Sequence, residues 1–207
     1  MEIELKYSLP GEETAEWLWQ DEELGAMTEE GSMTVDHLYG SYYDTEGMLL
    51  AKNDITFRLR HEGQRVVACM KWSGQEEGAL HKRNELNVTV GTEMPDEADP
   101  SVFGESEAGR ILVDAIGDRK LIPIMEVDVL RKMMRVDTGS SLLELSIDRG
   151  RVITKNGDVP ISEVEIELYQ GNEDDLMELG KWLSEKYDLT AEPESKFAKG
   201  LQKLKEE

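Results

Sequence analysis

Cysteine is almost absent. Cys69 stands alone among 207 residues, which excludes an internal disulfide framework and makes a reducing compartment the natural home. Its setting in the apolar run Val67-Ala68-Cys69-Met70 suits core packing. Long apolar runs are missing as well. Nothing approaches the roughly 20 residues that span a bilayer, and residues 1–20 lack a basic start followed by a greasy stretch. A cytoplasmic protein with no membrane partner is expected. Basic residues are in deficit, 23 Lys and Arg against 45 Asp and Glu, for a formal charge of -22. That overall field repels a phosphate backbone and argues against general nucleic-acid binding. The three histidines, His37, His61 and His81, show no zinc-ligand spacing and read as surface or loop residues. The Gly and Lys residues between Gly171 and Lys181 lack P-loop spacing.

What the chain does have is strict alternation. In Glu2-Ile3-Glu4-Leu5-Lys6 charged and apolar residues alternate, so as a strand one face carries Glu2, Glu4 and Lys6 and the other Ile3 and Leu5. Taken in order, residues 12–24 read as an acidic amphipathic helix burying Trp17, Leu18 and Leu24, and 33–44 as a strand. Residues 55–61 and 65–72 read as a hairpin, 73–78 as a loop and 82–90 as a further strand. Residues 91–109, rich in Pro, Gly, Glu and Asp, read as a surface excursion leading into a helix at about 106–116. Strands follow at 124–136, 141–148 and 161–169, with a short one at 151–154. A helix capped by Asn172 and another over 194–205 complete the chain. Lys199, Lys203 and Lys205 read as a solvated face of that last helix. The expectation is one domain over 1–207, mainly β (α+β), antiparallel, with about eight strands and flanking helices.

The later strands repeat the two-faced design. Arg58 and Arg60 share a face, Lys71 ends its strand, and Arg83 shares a face with Glu85. Arg131 and Arg135 are co-facial, as are Glu144, Ser146 and Asp148, and Glu163, Glu165 and Glu167; the opposite faces are largely apolar. If the apolar faces pack on helices, an open sheet would show the charges to water, whereas a closed barrel would turn them into a lumen. A charged lumen is costly unless its groups are paired or a charged ligand fills it. Basic strands call for an anion and acidic ones for a hard divalent cation, and a polyphosphate with Mg2+ or Mn2+ satisfies both.

The ordered series Glu2-x-Glu4-x-Lys6, Tyr42-Tyr43-Asp44-Thr45, Arg58-x-Arg60, Lys71, Arg83-x-Glu85, Asp148, Glu165-x-Glu167 and Ser195-Lys196 resembles the CYTH superfamily, the triphosphate tunnel metalloenzymes. The resemblance implies an eight-stranded antiparallel closed tunnel barrel with a charged lumen. It implies phosphate contacts from Lys6, Arg58, Arg60, Lys71, Arg83, Arg131 and Lys196, and metal ligation by Glu2, Glu4, Glu165 and Glu167 with Asp148 and Glu85 in support. Members commonly carry two basic residues separated by one where this chain has Arg131 and Met133; Arg135, on the same face, is taken to supply the second charge. Arg131 cannot plausibly give up a proton, so the water-activating role stays open among Lys6, Glu4 acting through metal, and the metal itself. The catalytic set is Glu4, Lys6 and Arg131.

The likeness is to bacterial inorganic triphosphatases, notably in Leu80-His81-x-Arg83-x-Glu85 and from Ile147-Asp148-Arg149-Gly150 to Glu167. It implies metal-dependent hydrolysis of inorganic triphosphate to pyrophosphate and phosphate, by a monomer or homodimer. The alternatives are a class IV-type adenylate cyclase, a thiamine triphosphatase, and a non-enzymatic polyphosphate or nucleotide sensor.

Overall fold

Nine strands and six α-helices are described over residues 1–206 in a computed structural model. Strand β1 (Glu2–Ser8) leads into helices α1 (Glu12–Trp19) and α2 (Glu22–Met27), followed by β2 (Thr34–Thr45), α3 (Leu49–Lys52), β3 (Ile55–Glu62), β4 (Arg65–Glu77) and β5 (Leu80–Gly91). A 3-10 turn at Pro100–Phe103 and α4 (Glu107–Ile116) precede β6 (Leu121–Asp137), β7 (Leu142–Thr154) and β8 (Gly157–Gln170). Helix α5 (Glu173–Tyr187), the two-residue β9 (Thr190–Ala191) and α6 (Lys196–Lys205) end the fold.

The order β5-β4-β3-β2-β6-β7-β8-β1, with β1 pairing back onto β5, closes eight antiparallel strands into a barrel; β9 adds to one end of β1. Closure explains why both faces of β1 are buried. Leu5 and Tyr7 face outward into a cluster with Leu18, Leu24, Leu176, Leu179 and Leu183 from α1, α2 and α5, while Glu4 and Lys6 face the lumen. A second outer cluster packs α3, α4 and the 3-10 turn on β3, β4 and β5 through Leu50, Phe57, Phe103, Leu112 and Ile116.

The third cluster is built from inward positions. Leu38, Tyr42, Met125, Val127, Val129, Val152 and Ile161 receive Phe197 of α6, with Leu201 and Leu204 beside it. Helix α6 therefore caps part of the lumen instead of lying on the outside. Gly200 permits the seating, because a Cβ there would collide with Met125 Sδ and stand 3.0 Å from Val152 Cγ1.

Several elements differ from the sequence reading for identifiable reasons. The helix expected over 12–24 breaks at Asp21, whose carboxylate accepts the Leu24 N–H and so starts α2. Trp17 then points outward, 60% exposed. Residues 73–77 continue β4 past a register shift at Trp72 instead of forming a loop. The two pieces expected at 141–148 and 151–154 form one strand, since Gly150 carries the ladder through at positive φ.

Candidate functional site

Register assembles the charged faces. Across β1, β8 and β7, Glu4 lies opposite Glu167 and Glu167 opposite Glu144; Lys6 lies opposite Glu165 and Glu165 opposite Ser146. On the other side Arg131 lies opposite Asp148, Lys71 opposite Glu85, and Glu2 opposite Arg83. The resulting cavity holds about 240 Å3. Its walls include Glu2, Glu4, Lys6, Arg58, Arg60, Lys71, Arg83, Glu85, Arg131, Asp148, Glu165, Glu167 and Lys196, thirteen of the fourteen residues expected from sequence.

Arg135 is not brought into this cavity. Four residues past Arg131 is about 13 Å along a strand, and there its guanidinium stacks 5.3 Å from the Tyr169 ring centroid and 4.0 Å from Glu29. The charge expected from the place of Met133 is thus not restored from Arg135. Conversely, Glu62, Asn87 and Glu144 line the cavity and were not singled out as site residues. Their signal was available: each prolongs an alternation, as Arg58-x-Arg60-x-Glu62, Arg83-x-Glu85-x-Asn87, and Glu144 two residues before Ser146.

Two acidic groups share the lumen but live in different company. Asp148, Glu163 and Glu165 each place an oxygen within 4.8 Å of the others. The cation among them is Lys196, whose Nζ lies 2.7 Å from Asp148, 2.5 Å from Glu163 and 3.0 Å from Glu165. Arg131 adds a two-pronged pair to Asp148, 2.6 Å from each oxygen, and donates to Glu165 at 2.5 Å. Lys6 approaches Glu165 at 3.2 Å and Glu4 at 3.4 Å. Burial raises both acids, but Arg131 and Lys196 outweigh it at Asp148, and Lys196, Lys6 and Arg131 at Glu165, so both sit below the usual carboxylate range.

The other group is short of cations. Lys71 donates to both oxygens of Glu2 at 2.6 and 2.7 Å and lies 3.0 Å from Glu85. Glu167 has no ion-pair partner among the described residues. Burial, then Glu85, push the Glu167 carboxyl up to about 7. Burial also raises Glu2, with Lys71 opposing and Glu4 and Glu85 reinforcing, while Lys71 holds Glu85 down despite its burial. The pair around Lys71 therefore releases its second proton late. Hard oxygen donors carrying excess negative charge are the donor set a divalent cation takes, so Glu2, Glu4, Glu85 and Glu167 fit one.

Among the cations, Arg58 is distinctive. It has no carboxylate within ion-pair distance among the described residues, its buried Nε has no hydrogen-bond partner, and its guanidinium carbon lies 5.8 Å from the Tyr42 ring centroid. Arg60 is held by Glu62 and Arg83 by Glu76. Lys6, although burial opposes the charge, is kept protonated well above the ordinary lysine range by Glu4 and Glu165.

Two surface assignments are corrected here. His81 is 1% exposed, its Nε2 3.0 Å from the Glu192 carbonyl, because residues 190–192 lie across that part of the barrel. Lys199 is also covered, lying 3.2 Å from Glu163 and 2.8 Å from Glu192. Helix α6 turns Lys199 toward β8, so that residue is not solvated, whereas Lys205 further along is exposed as expected.

The family profile described as CYTH domain matches residues 1–201. The inorganic triphosphatase of Haemophilus influenzae is 30% identical over 164 residues, covering 79% of this chain and 45% of that protein, so the chain spans about half the length of this curated relative. Among solved structures, the Hippeastrum protein HpAC1, named for adenylyl cyclase and described as revealing a dominant triphosphatase activity, superposes with a TM-score of 0.72 at 19% identity over 98% of this chain and 96% of its own. PH1819 of Pyrococcus horikoshii gives 0.58 at 20% identity, covering 98% and 99%. These two likenesses are of fold: the same closed tunnel barrel recurs at low identity.

Proposed function

This chain belongs to the CYTH family, and from that premise we propose that it hydrolyses inorganic triphosphate to pyrophosphate and phosphate with Mg2+ or Mn2+. The observation that carries the reading is the imbalance inside one lumen. Among the described residues, Arg58 is a half-buried guanidinium without a carboxylate, its Nε buried and unpartnered, and Glu167 is a half-buried carboxylate without a cation. A polyanion accompanied by a divalent cation corrects both at once. The relative named an inorganic triphosphatase supports the same chemistry.

Glu2, Glu4 and Glu167, with Glu85, would hold the metal, which when bound supplies a Lewis acid at the phosphoryl oxygens. Asp148 and Glu165 serve differently, fixing Arg131 and Lys196. Arg58, Arg60, Lys71, Arg83, Arg131 and Lys196 neutralise the phosphate chain and hold it in line, which is most of what phosphoryl transfer asks of a protein. Lys6 enters already protonated, so it acts as a phosphate contact and not as the group that takes the proton from water.

The test is incubation of pure protein with Mg2+ or Mn2+ and, separately, triphosphate, ATP and thiamine triphosphate, measuring phosphate and cyclic AMP. Phosphate release fastest from inorganic triphosphate is expected. Cyclic AMP without phosphate would replace the reading with a cyclase, preference for thiamine triphosphate would change the substrate, and tight triphosphate binding with no turnover would make the protein a sensor.

A further inference from the structure

The buried acid that the proposed chemistry leaves unused is Glu163. It is 0% exposed, lies on the inward side of β8 opposite Asp148 and Ser8, and does not line the cavity. Its two oxygens divide between two lysines three residues apart on one face of α6: Oε1 accepts from Lys196 at 2.5 Å and Oε2 from Lys199 at 3.2 Å. Lys199 continues the chain of contacts to Glu192 at 2.8 Å, and Glu192 also accepts from Ser8 Oγ at 2.7 Å and from the Glu194 N–H at 3.0 Å. The backbone of Glu192 is itself pinned, its N–H donating to the Lys6 carbonyl and its carbonyl meeting His81 Nε2, each at 3.0 Å.

We propose that Glu163, backed by Lys199 and Glu192, is a positioning residue that locks α6 to the barrel and so fixes the Lys196 ammonium at the lumen wall, where it meets the phosphate chain. The proposal rests on the triphosphatase reading for its effect on rate. The reason is a division of labour among the three carboxylates around Lys196. Asp148 is shared with Arg131, and Glu165 with Arg131 and Lys6. An incoming polyanion competes for every one of those cations, so these pairs rearrange when substrate binds. Glu163 is tied only to the two lysines of α6 and lies beneath that helix, off the cavity lining, so its hold on the helix persists. A lysine needs such a backstop, because its four-carbon stem is flexible and does not fix the ammonium by itself. An ammonium that is misplaced by about 1 Å costs on the order of a hundredfold in rate.

A role in fold stability alone would lower the melting temperature without selecting between kinetic constants. The positioning role makes a narrower demand. Glu163→Gln keeps the shape and removes the charge, leaving Lys196 and Lys199 less neutralised. The ground-state pull on triphosphate is then undiminished while the geometry loosens. KM for triphosphate should stay level or fall, and kcat should drop by about tenfold to a hundredfold. Glu163→Asp, restoring the charge on a shorter stem, should recover part of kcat. Lys199→Met and Glu192→Gln should lower kcat severalfold in the same direction, and Glu163→Gln combined with Lys199→Met should add little to Glu163→Gln alone.

Hydrogen exchange gives a readout that needs no turnover: amides of α6 should exchange faster in Glu163→Gln and Lys199→Met, with those of α5 unchanged. A raised KM at constant kcat, or additive effects of the two substitutions, would overturn the assignment. If Glu163→Gln does not fold, wild-type kcat in both Lys199→Met and Glu192→Gln does the same. A wild type that turns over no triphosphate with either metal defeats the triphosphatase reading alone. The lock is then judged by exchange, and unchanged α6 protection in the folded variants defeats it.

Discussion

Two groups of carboxylates lie on the inner side of the barrel, and mutual spacing and charge balance point to different ones as the place for a metal. Asp148, Glu163 and Glu165 have the tight mutual spacing of a cation site, but Lys196 sits among them and Arg131 spans two of them. Glu2, Glu4, Glu85 and Glu167 are served by Lys71 and, at the edge, Lys6. The first group is an internally neutralised clamp for basic side chains; the second keeps its demand for positive charge. Counting which acids already have a base beside them separates the two groups where counting acids does not, because a carboxylate withdrawn from water without a counter-charge is what costs free energy.

The sharpest break of that comparison is at Glu4, between the two groups and 3.4 Å from Lys6. Glu4→Gln should lower metal-dependent turnover by about a thousandfold or more while circular dichroism shows an intact barrel; removal of a preorganised charge at the reacting group has effects of this order. Activity at the wild-type level would remove Glu4 from the mechanism. Next in size is Arg58→Ala. Its guanidinium satisfies no protein carboxylate, so its loss leaves no orphaned acid, and the expected result is a KM for triphosphate raised by about tenfold to a hundredfold with little loss of stability. A marked fall in melting temperature with unchanged KM would make Arg58 a structural residue.

A smaller effect separates the two groups by pH. Glu167 is raised to about 7, and Glu2 is raised too, so between roughly pH 5 and 8 the folded protein holds protons that the unfolded chain has released. Stability of the metal-free protein should therefore fall as pH rises through about 7. Excess Mg2+ should cancel that fall, since metal replaces the protons. Asp148 and Glu165 are depressed instead, so their contribution is present above the ordinary carboxylate range and lost only on acidification below it. Thermal melts from pH 5 to 9 with and without Mg2+ check the sign, and Glu167→Gln should flatten the metal-free slope. A metal-free melting temperature that rises through pH 7 would contradict the assignment of unmet charge to Glu167.

The charged faces were legible because charged and apolar residues alternate with period two in β1, β3, β5, β7 and β8, and pairing opposite a strand of like design tells on which side the charges meet. What stayed hidden depends on curvature and on contacts distant in sequence. Nothing local to Lys196-Phe197-Ala198-Lys199 says that α6 seats against inward-facing Met125 and Val152, so Lys199 looked solvated until the helix was seen to face Glu163. Likewise one helix was expected over 12–24, and the break at Asp21, which caps α2 while Leu24 packs into the outer cluster, comes from contacts that the local pattern does not carry. His81 was hidden by the return of residues 190–192 across β1, a pairing more than a hundred positions away.

Arg135 is where that loss of curvature is best measured. On an unrolled strand it is co-facial with Arg131 and appears to make good the charge missing at Met133; in the barrel its strand has carried it past the cavity, where it is 41% exposed, stacked on Tyr169 and facing Glu29. An exposed pair of this kind contributes about 0–1 kcal/mol. Arg135→Ala should accordingly change kcat and KM for triphosphate by less than about twofold, against a far larger loss for Arg131→Ala, which would strand Asp148 and Glu165. The direct check is a parallel titration of both variants with triphosphate at low and high salt. If Arg135 acts only through the long-range field, its small effect vanishes as salt rises, whereas a salt-independent rise in KM would show that the lumen reaches further along β6 than its walls now extend.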